Sequence, residues 1–170
     1  MKGTKRLAVL AMFTAIALTI FVAEAQIPPI VPIPGVKLGL ANIVTLIAMA
    51  LLGRRQAGEI LLVRIVLGSM FTGGVSAMLF SIAGGVFAYL IMCLTIRHFP
   101  ERLLWVVSVL AAFGHNAGQL LVAVWVTGTP SILVYAPALV AASVITGAFT
   151  GVAAMYLVRA LRKTGHFPQE

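Results

Sequence analysis

Residues 33–52, IPGVKLGLANIVTLIAMALL, decide how this chain is read. They emerge from a proline-rich run, Ile27-Pro28-Pro29-Ile30-Val31-Pro32-Ile33-Pro34. That run cannot continue a helix, because proline lacks an amide N–H and biases the residue before it away from helical backbone. Beyond Gly35 the chain stays apolar for long enough to cross a bilayer, yet it carries Lys37 and Asn42 into the crossing. A stiff loop feeding a membrane helix with polar residues near its mouth points to a place where something binds.

Composition gives the setting. Hydrophobic residues make up 61% of the 170, charged residues only 9%, and the mean hydropathy is +1.10. A water-soluble domain of this size could not hide so much apolar surface, so lipid must solvate part of it. The expectation is one integral membrane domain, residues 1–170, all-α and polytopic. The formal charge of +8 comes from twelve Lys and Arg against four Glu, with no Asp. In a soluble chain that excess would suggest nucleic acid; here it reports topology instead. Cys93 is the only cysteine, which excludes a disulfide scaffold and a cysteine metal site.

Six apolar segments, judged against the roughly 20 residues a bilayer needs, predict helices at about 7–23, 36–52, 57–71, 76–96, 103–126 and 135–158. The first could be a signal peptide, since Ala23-Glu24-Ala25 resembles a small-x-small cleavage site. Its apolar run exceeds a usual signal core, so an uncleaved helix is expected. The third segment is the weakest, being interrupted by Glu59 and Arg64, and is expected to be the shortest or most irregular. With six spans, the N-terminus, Arg54-Arg55, the Arg97 and Arg102 loop and the basic tail share one side. That side holds ten of the twelve Lys and Arg, and the positive-inside rule places both termini in the cytoplasm. The proline loop then faces outward.

Polar residues inside a membrane are expensive, and each needs a reason. Helix five offers the densest group, Gly114-His115-Asn116-Ala117-Gly118-Gln119. At 100° per residue, His115, Asn116 and Gln119 share one face of about 100°. They either bond helices together or line a ligand pocket. Arg64, the only full charge deep in a span, could snorkel, pair with Glu59 about one turn away, or hold an anionic ligand. On a regular helix Lys37 points nearly opposite Gly39 and Asn42, so the three share a pocket only if Pro34-Gly35 delays the helix start. Glu24, near the outer end of helix one, could answer Lys37 as a rim salt bridge.

Small residues form a second pattern. Ala11 and Ala15 make an Ala-x-x-x-Ala step on helix one; Ser143, Gly147 and Gly151 repeat it on helix six; Ser81, Gly84 and Gly85 thin one side of helix four. Such ridges let backbones approach closely, within the chain or against a partner. No phosphate loop, dinucleotide turn, zinc spacing or nucleophile elbow occurs. Magnesium-dependent diphosphate chemistry needs clustered carboxylates, which four scattered Glu and no Asp do not supply. No catalytic residue, cofactor or metal is expected.

The runs Pro34-Gly35-Val36-Lys37-Leu38-Gly39-Leu40-Ala41-Asn42, Leu52-Gly53-Arg54, Ser81-Ile82-Ala83-Gly84-Gly85 and His115-Asn116-Ala117-Gly118-Gln119 resemble those of bacterial proteins called heptaprenyl diphosphate synthase component I, or the Gx transporter family. That family is similar to the substrate-binding S components of energy-coupling-factor (ECF) transporters. The resemblance implies a six-helix bundle in the bacterial cell membrane, with a small-molecule pocket open to the outside beneath the loop between helices one and two. The substrate-binding residues expected on this basis are Asn42, His115, Asn116, Gln119, Arg64, Lys37 and Ser81. It also implies that Ala11 and Ala15 dock a transmembrane coupling subunit that works with two ATPases. Where the S component form of helix four has Ser-x-Ser-Gly-Gly, this chain has Ser-Ile-Ala-Gly-Gly. The family's name implies instead a non-catalytic membrane accessory to a soluble prenyl synthase subunit; a membrane partner of flavin or quinone redox proteins is a third reading.

Overall fold

The computed structural model describes residues 3–28, 37–72, 74–165 and 167. The expected covering loop at residues 29–34 lies outside the described residues, as does Val36. The described chain is helical, with α1 (Gly3–Glu24), α2 (Asn42–Leu52), α3 (Arg54–Thr72), α4 (Gly74–Thr95), α5 (Leu104–Thr127) and α6 (Ala136–Lys163). Short 3-10 turns at Glu101–Leu103 and Pro130–Tyr135 lead into α5 and α6. Helix is what lipid selects, because every backbone polar group there must be satisfied within its own segment.

Four of the six helices, α1 and α4–α6, are long and apolar enough to cross a membrane. The other two depart from the sequence expectation in opposite ways. Helix two was expected from residue 36 but begins at Asn42 and spans 11 residues, about 16 Å at 1.5 Å per residue. That is roughly half the bilayer's hydrocarbon thickness. Gly39 has φ +79, a left-handed turn that glycine adopts without a Cβ penalty, and the helix starts only after it. Most of α2 is buried, including Val44, Leu46, Ile47, Ala48, Met49 and Leu51. It is a core helix packed against α3, α6, α1 and α4, and an apolar surface all round suits that position.

Helix three, expected to be the shortest or most irregular, is instead one continuous helix of 19 residues, longer than α2. Its polar groups do not interrupt it, because backbone hydrogen bonding is indifferent to where a side chain points. Ala57, Ile60, Leu61, Arg64 and Ile65 are buried, while Leu62, Val66, Met70 and Phe71 face outward. The outward apolar surface continues over the other helices through Leu94, Trp125, Ile145 and Phe149, as a lipid-facing surface requires.

The strongest packing joins α4 to α5 and α5 to α6, with α1 laid against α3. Apart from Lys37 and Arg64, the basic residues described gather at one end. Arg6 and Arg55 both bond Glu59; Arg159 and Arg162 share Glu101; Arg54 donates to the Cys93 carbonyl. Chain entry, α2–α3 turn, α4–α5 loop and α6 exit therefore meet at that end.

Candidate functional site

Away from the basic end, α1, α3, α4 and α5 enclose polar side chains that lipid alone would not tolerate. Glu24 closes α1 and is 4% exposed; Arg64, midway along α3, is 2% exposed; Gln119 on α5 is 1% exposed. Glu24 accepts the Gly39 N–H at 2.5 Å, and Gln119 Oε1 accepts the Lys37 N–H at 3.2 Å. The chain entering α2 is thereby tied to both α1 and α5. Lys37 lies ahead of the helix, so the angular objection to its joining Asn42 disappears. Its Nζ sits 3.4 Å above the Phe21 ring, and the Arg64 guanidinium lies 5.6 Å from the same ring. Phe21 fits because Gly68 faces it: a Cβ there would meet the ring edge at 2.5 Å.

Asn42 links the two sides of the group. Arg64 Nη2 donates to Asn42 Oδ1 at 3.4 Å, and Asn42 Nδ2 lies 3.1 Å from His115 Nδ1. A guanidinium can only donate, so Asn42 must offer its oxygen to Arg64 and its amide N–H to the ring. His115 Nδ1 is then the acceptor, and the ring proton belongs on Nε2. The ring packs against Gly84, where a Cβ would come within 2.7 Å of Nδ1, and against Gly39. Arg64 Nε and His115 Nε2 are buried without completing a well-formed hydrogen bond among the described residues.

These groups surround a small chamber lined by Phe21, Glu24, Lys37, Arg64, His115 and Gln119, with Ser81 and Gly39. Its free space is about 10 Å³, room for roughly one water. Of the residues singled out in the sequence, Lys37, Asn42, Arg64, Ser81, His115 and Gln119 come together here. Asn116 does not. Its side chain donates to the Leu139 carbonyl at 3.1 Å and to Ser143 Oγ at 2.8 Å, so it joins α5 to α6. Arg64 does not pair with Glu59 either, which is held by Arg6 and Arg55 at the basic end. Two members escape a reading by polarity: Phe21 is one of nine phenylalanines, and Glu24 looks like a rim residue. The scarcity of carboxylates is the one signal that could have promoted Glu24.

The division of labour between Asn116 and Gln119 is testable. Asn116→Ala should lower stability by about 1–3 kcal/mol, read by thermal unfolding, and leave hydrogen exchange at residues 37–41 unchanged. Gln119→Ala should speed exchange at Lys37 and its neighbours. Equal exchange in both variants would refute the tie.

Among the described residues, concavities also lie outside the chamber. An apolar groove of about 510 Å³ runs between α1 and α3, lined by Leu7, Ala11, Ala15, Leu18, Val63 and Leu67. A basin of about 570 Å³ at the basic end is lined by Arg54, Arg55, Arg97 and Arg162, with Glu101.

A model of the family described as heptaprenyl diphosphate synthase component I matches residues 13–157 of this chain. No curated protein and no solved structure matches it.

Proposed function

We propose that this chain, which belongs to the heptaprenyl diphosphate synthase component I family, is a membrane-embedded binding subunit for a small molecule. In this reading it works like an S component, with a separate transmembrane coupling subunit and two ATPases, in the bacterial cell membrane. The observation that carries the reading is the enclosed chamber, with Glu24, Lys37, Arg64, His115 and Gln119 converging on it. Ionisable groups inside a membrane bundle are costly and mark sites of function. The positive-inside rule puts the basic end and both termini in the cytoplasm, so the chamber lies toward the outer face. Ligand entry then requires Lys37 to leave Phe21.

The partner face in this reading is helix one. Ala11 and Ala15 are exposed and line the apolar groove, whereas an internal ridge would be covered by its own chain. Ala11→Leu or Ala15→Leu should fill the groove and break the complex, while changing the isolated protein's stability by no more than about 0.5 kcal/mol. Co-purification from native membranes and thermal unfolding give the two readouts. Loss of stability in both variants would make the groove a packing feature.

A second reading follows the family's name and the arginine basin: a non-catalytic membrane accessory of a soluble prenyl synthase. Guanidinium groups suit diphosphate head groups and acidic protein surfaces, and four of them line the basin. Affinity purification of the tagged chain from its native membrane separates the readings. Recovery of a coupling subunit with ATPases supports the first, and recovery of a prenyl synthase subunit replaces it with the second.

A further inference from the structure

We infer that the basin at the basic end binds an organic phosphate, held by Arg54, Arg55, Arg97 and Arg162 with its organic part against Phe99. This goes beyond the chamber and rests on neither partner reading.

Convergence sets this cluster apart. The basin is lined by Arg54 and Arg55 at the start of α3, Arg97 after α4 and Arg162 in the last turn of α6. Topology asks for basic residues near the ends of spans, not that they turn into one cavity. Arg102 and Lys163, exposed at the same end, meet that need from outside the basin lining. At about 570 Å³ the basin falls in the size range of small-molecule sites.

Two of the arginines are already set in place. Arg54 Nη2 donates to the Cys93 carbonyl in the last turn of α4. Arg162 Nη2 donates to the Ala50 carbonyl in the last turn of α2 at 3.4 Å. The last carbonyls of a helix attract cations, and side chains fixed in this way lose less freedom when a ligand arrives. A guanidinium carries five N–H donors, so one carbonyl does not exhaust Arg54. Arg55 pairs with Glu59 while 83% of its side chain stays exposed. Arg97 is exposed and bonds no described residue. Glu101, the one carboxylate among the described lining residues, is bridged by Arg159 and Arg162.

The directions of approach select the anion. A carboxylate is planar, and one guanidinium fork can satisfy it. A phosphate monoester offers three acceptor oxygens and up to two charges, which suits guanidinium groups arriving from several segments. Phe99, Ile96 and Met49 add an apolar wall to the basin, and an esterified group can lie on it. The same chemistry is offered by a soluble phosphate ester and by a lipid head group.

The test uses the full-length chain in phosphatidylcholine nanodiscs, with phenyl phosphate, inorganic phosphate and citrate as probes at matched ionic strength. Phenyl phosphate should raise the melting temperature, inorganic phosphate should raise it less, and citrate should not protect. Arg97→Gln should weaken phenyl phosphate by at least about tenfold, the loss of one charge-assisted hydrogen bond. Arg102→Gln removes the same charge from outside the basin and should leave the affinity unchanged. Both side chains are exposed, so both variants should melt like the wild type without a probe. Adding phosphatidic acid to the bilayer distinguishes the sources. Protection by that lipid alone, lost in Arg97→Gln, assigns the site to a head group; protection by phenyl phosphate assigns it to a soluble ester. Equal protection by citrate, or equal losses in Arg97→Gln and Arg102→Gln, would overturn the site and leave only the field of a basic face. If neither phenyl phosphate nor phosphatidic acid protects, the inference fails and the basin is left to an acidic protein partner. Either failure leaves the chamber reading untouched.

Discussion

Replacing Glu24 with Gln should cost about 3–5 kcal/mol of stability at pH 6, the range for stripping one partner from a buried ionic cluster. The change is nearly isosteric, so packing is preserved, and the amide oxygen can still accept the Gly39 N–H that Glu24 holds at 2.5 Å. What disappears is the only carboxylate lining the chamber among the described residues, beside Lys37 and Arg64. The cost should shrink as pH rises. Lys37 titrates at about 8 in the folded protein against 10.5 when unperturbed, so between those values the unfolded chain binds more protons and stability increases with pH. Without Glu24 that window opens at lower pH, because an interaction that favours the ammonium has gone. Glu24→Gln should therefore recover stability from pH 6 to pH 9 more steeply than the wild type. Adding Lys37→Met should restore much of the loss at pH 6. Thermal unfolding in nanodiscs across that range measures all three curves, and coincident wild-type and Glu24→Gln curves would show that the carboxylate carries no charge in the folded protein.

How much of this site could be read from the sequence depended on whether a residue's role follows from its own segment. The basic end was legible, since Arg54-Arg55, Arg97 and the tail around Arg159 and Arg162 sit at the ends of apolar runs, and structure brings Arg55 to Glu59 and both Arg159 and Arg162 to Glu101. The pairing of Asn42 with His115, 73 residues apart, was legible only as two polar residues in need of partners. Helical phase grouped His115 with Gln119, and both line the chamber, but it could not separate Asn116, whose direction is set by where α6 lies. The α2 boundary was misread because apolarity measures burial in anything, and α2 is buried in protein. Arg64 looked like a neighbour of Glu59 along the chain, yet Arg6 and Arg55 reach that carboxylate first. Phe21 carries no local mark; its role exists only because Lys37 returns to it from across the loop.

The small-residue ridges of α1 and α6 looked alike in sequence and should behave oppositely. On α6, a Cβ at Gly147 would sit 2.6 Å from Val109 Cα and 3.1 Å from the Ser108 carbonyl oxygen, and one at Gly151 would meet Trp105 Cα and Ser108 Cβ. Backbone atoms cannot step aside by changing rotamer, so α5 and α6 would have to separate. That separation would also pull apart Ser108 and Thr150, bonded at 3.0 Å, and strain the hold of Asn116 on Leu139 and Ser143. Overpacking a well-filled core typically costs 1–3 kcal/mol and sometimes more. Here the obstacles are backbone and the seam is among the most extensive in the fold, so Gly151→Leu should lose at least about 3 kcal/mol. Gly147→Leu should approach that loss. On α1 the same enlargement at Ala11 or Ala15 enters an open groove and should leave the fold intact. Detergent-solubilised yield and melting temperature for the four leucine variants give the comparison. If the α6 variants melt like the α1 variants, then α5 and α6 are not packed backbone to backbone.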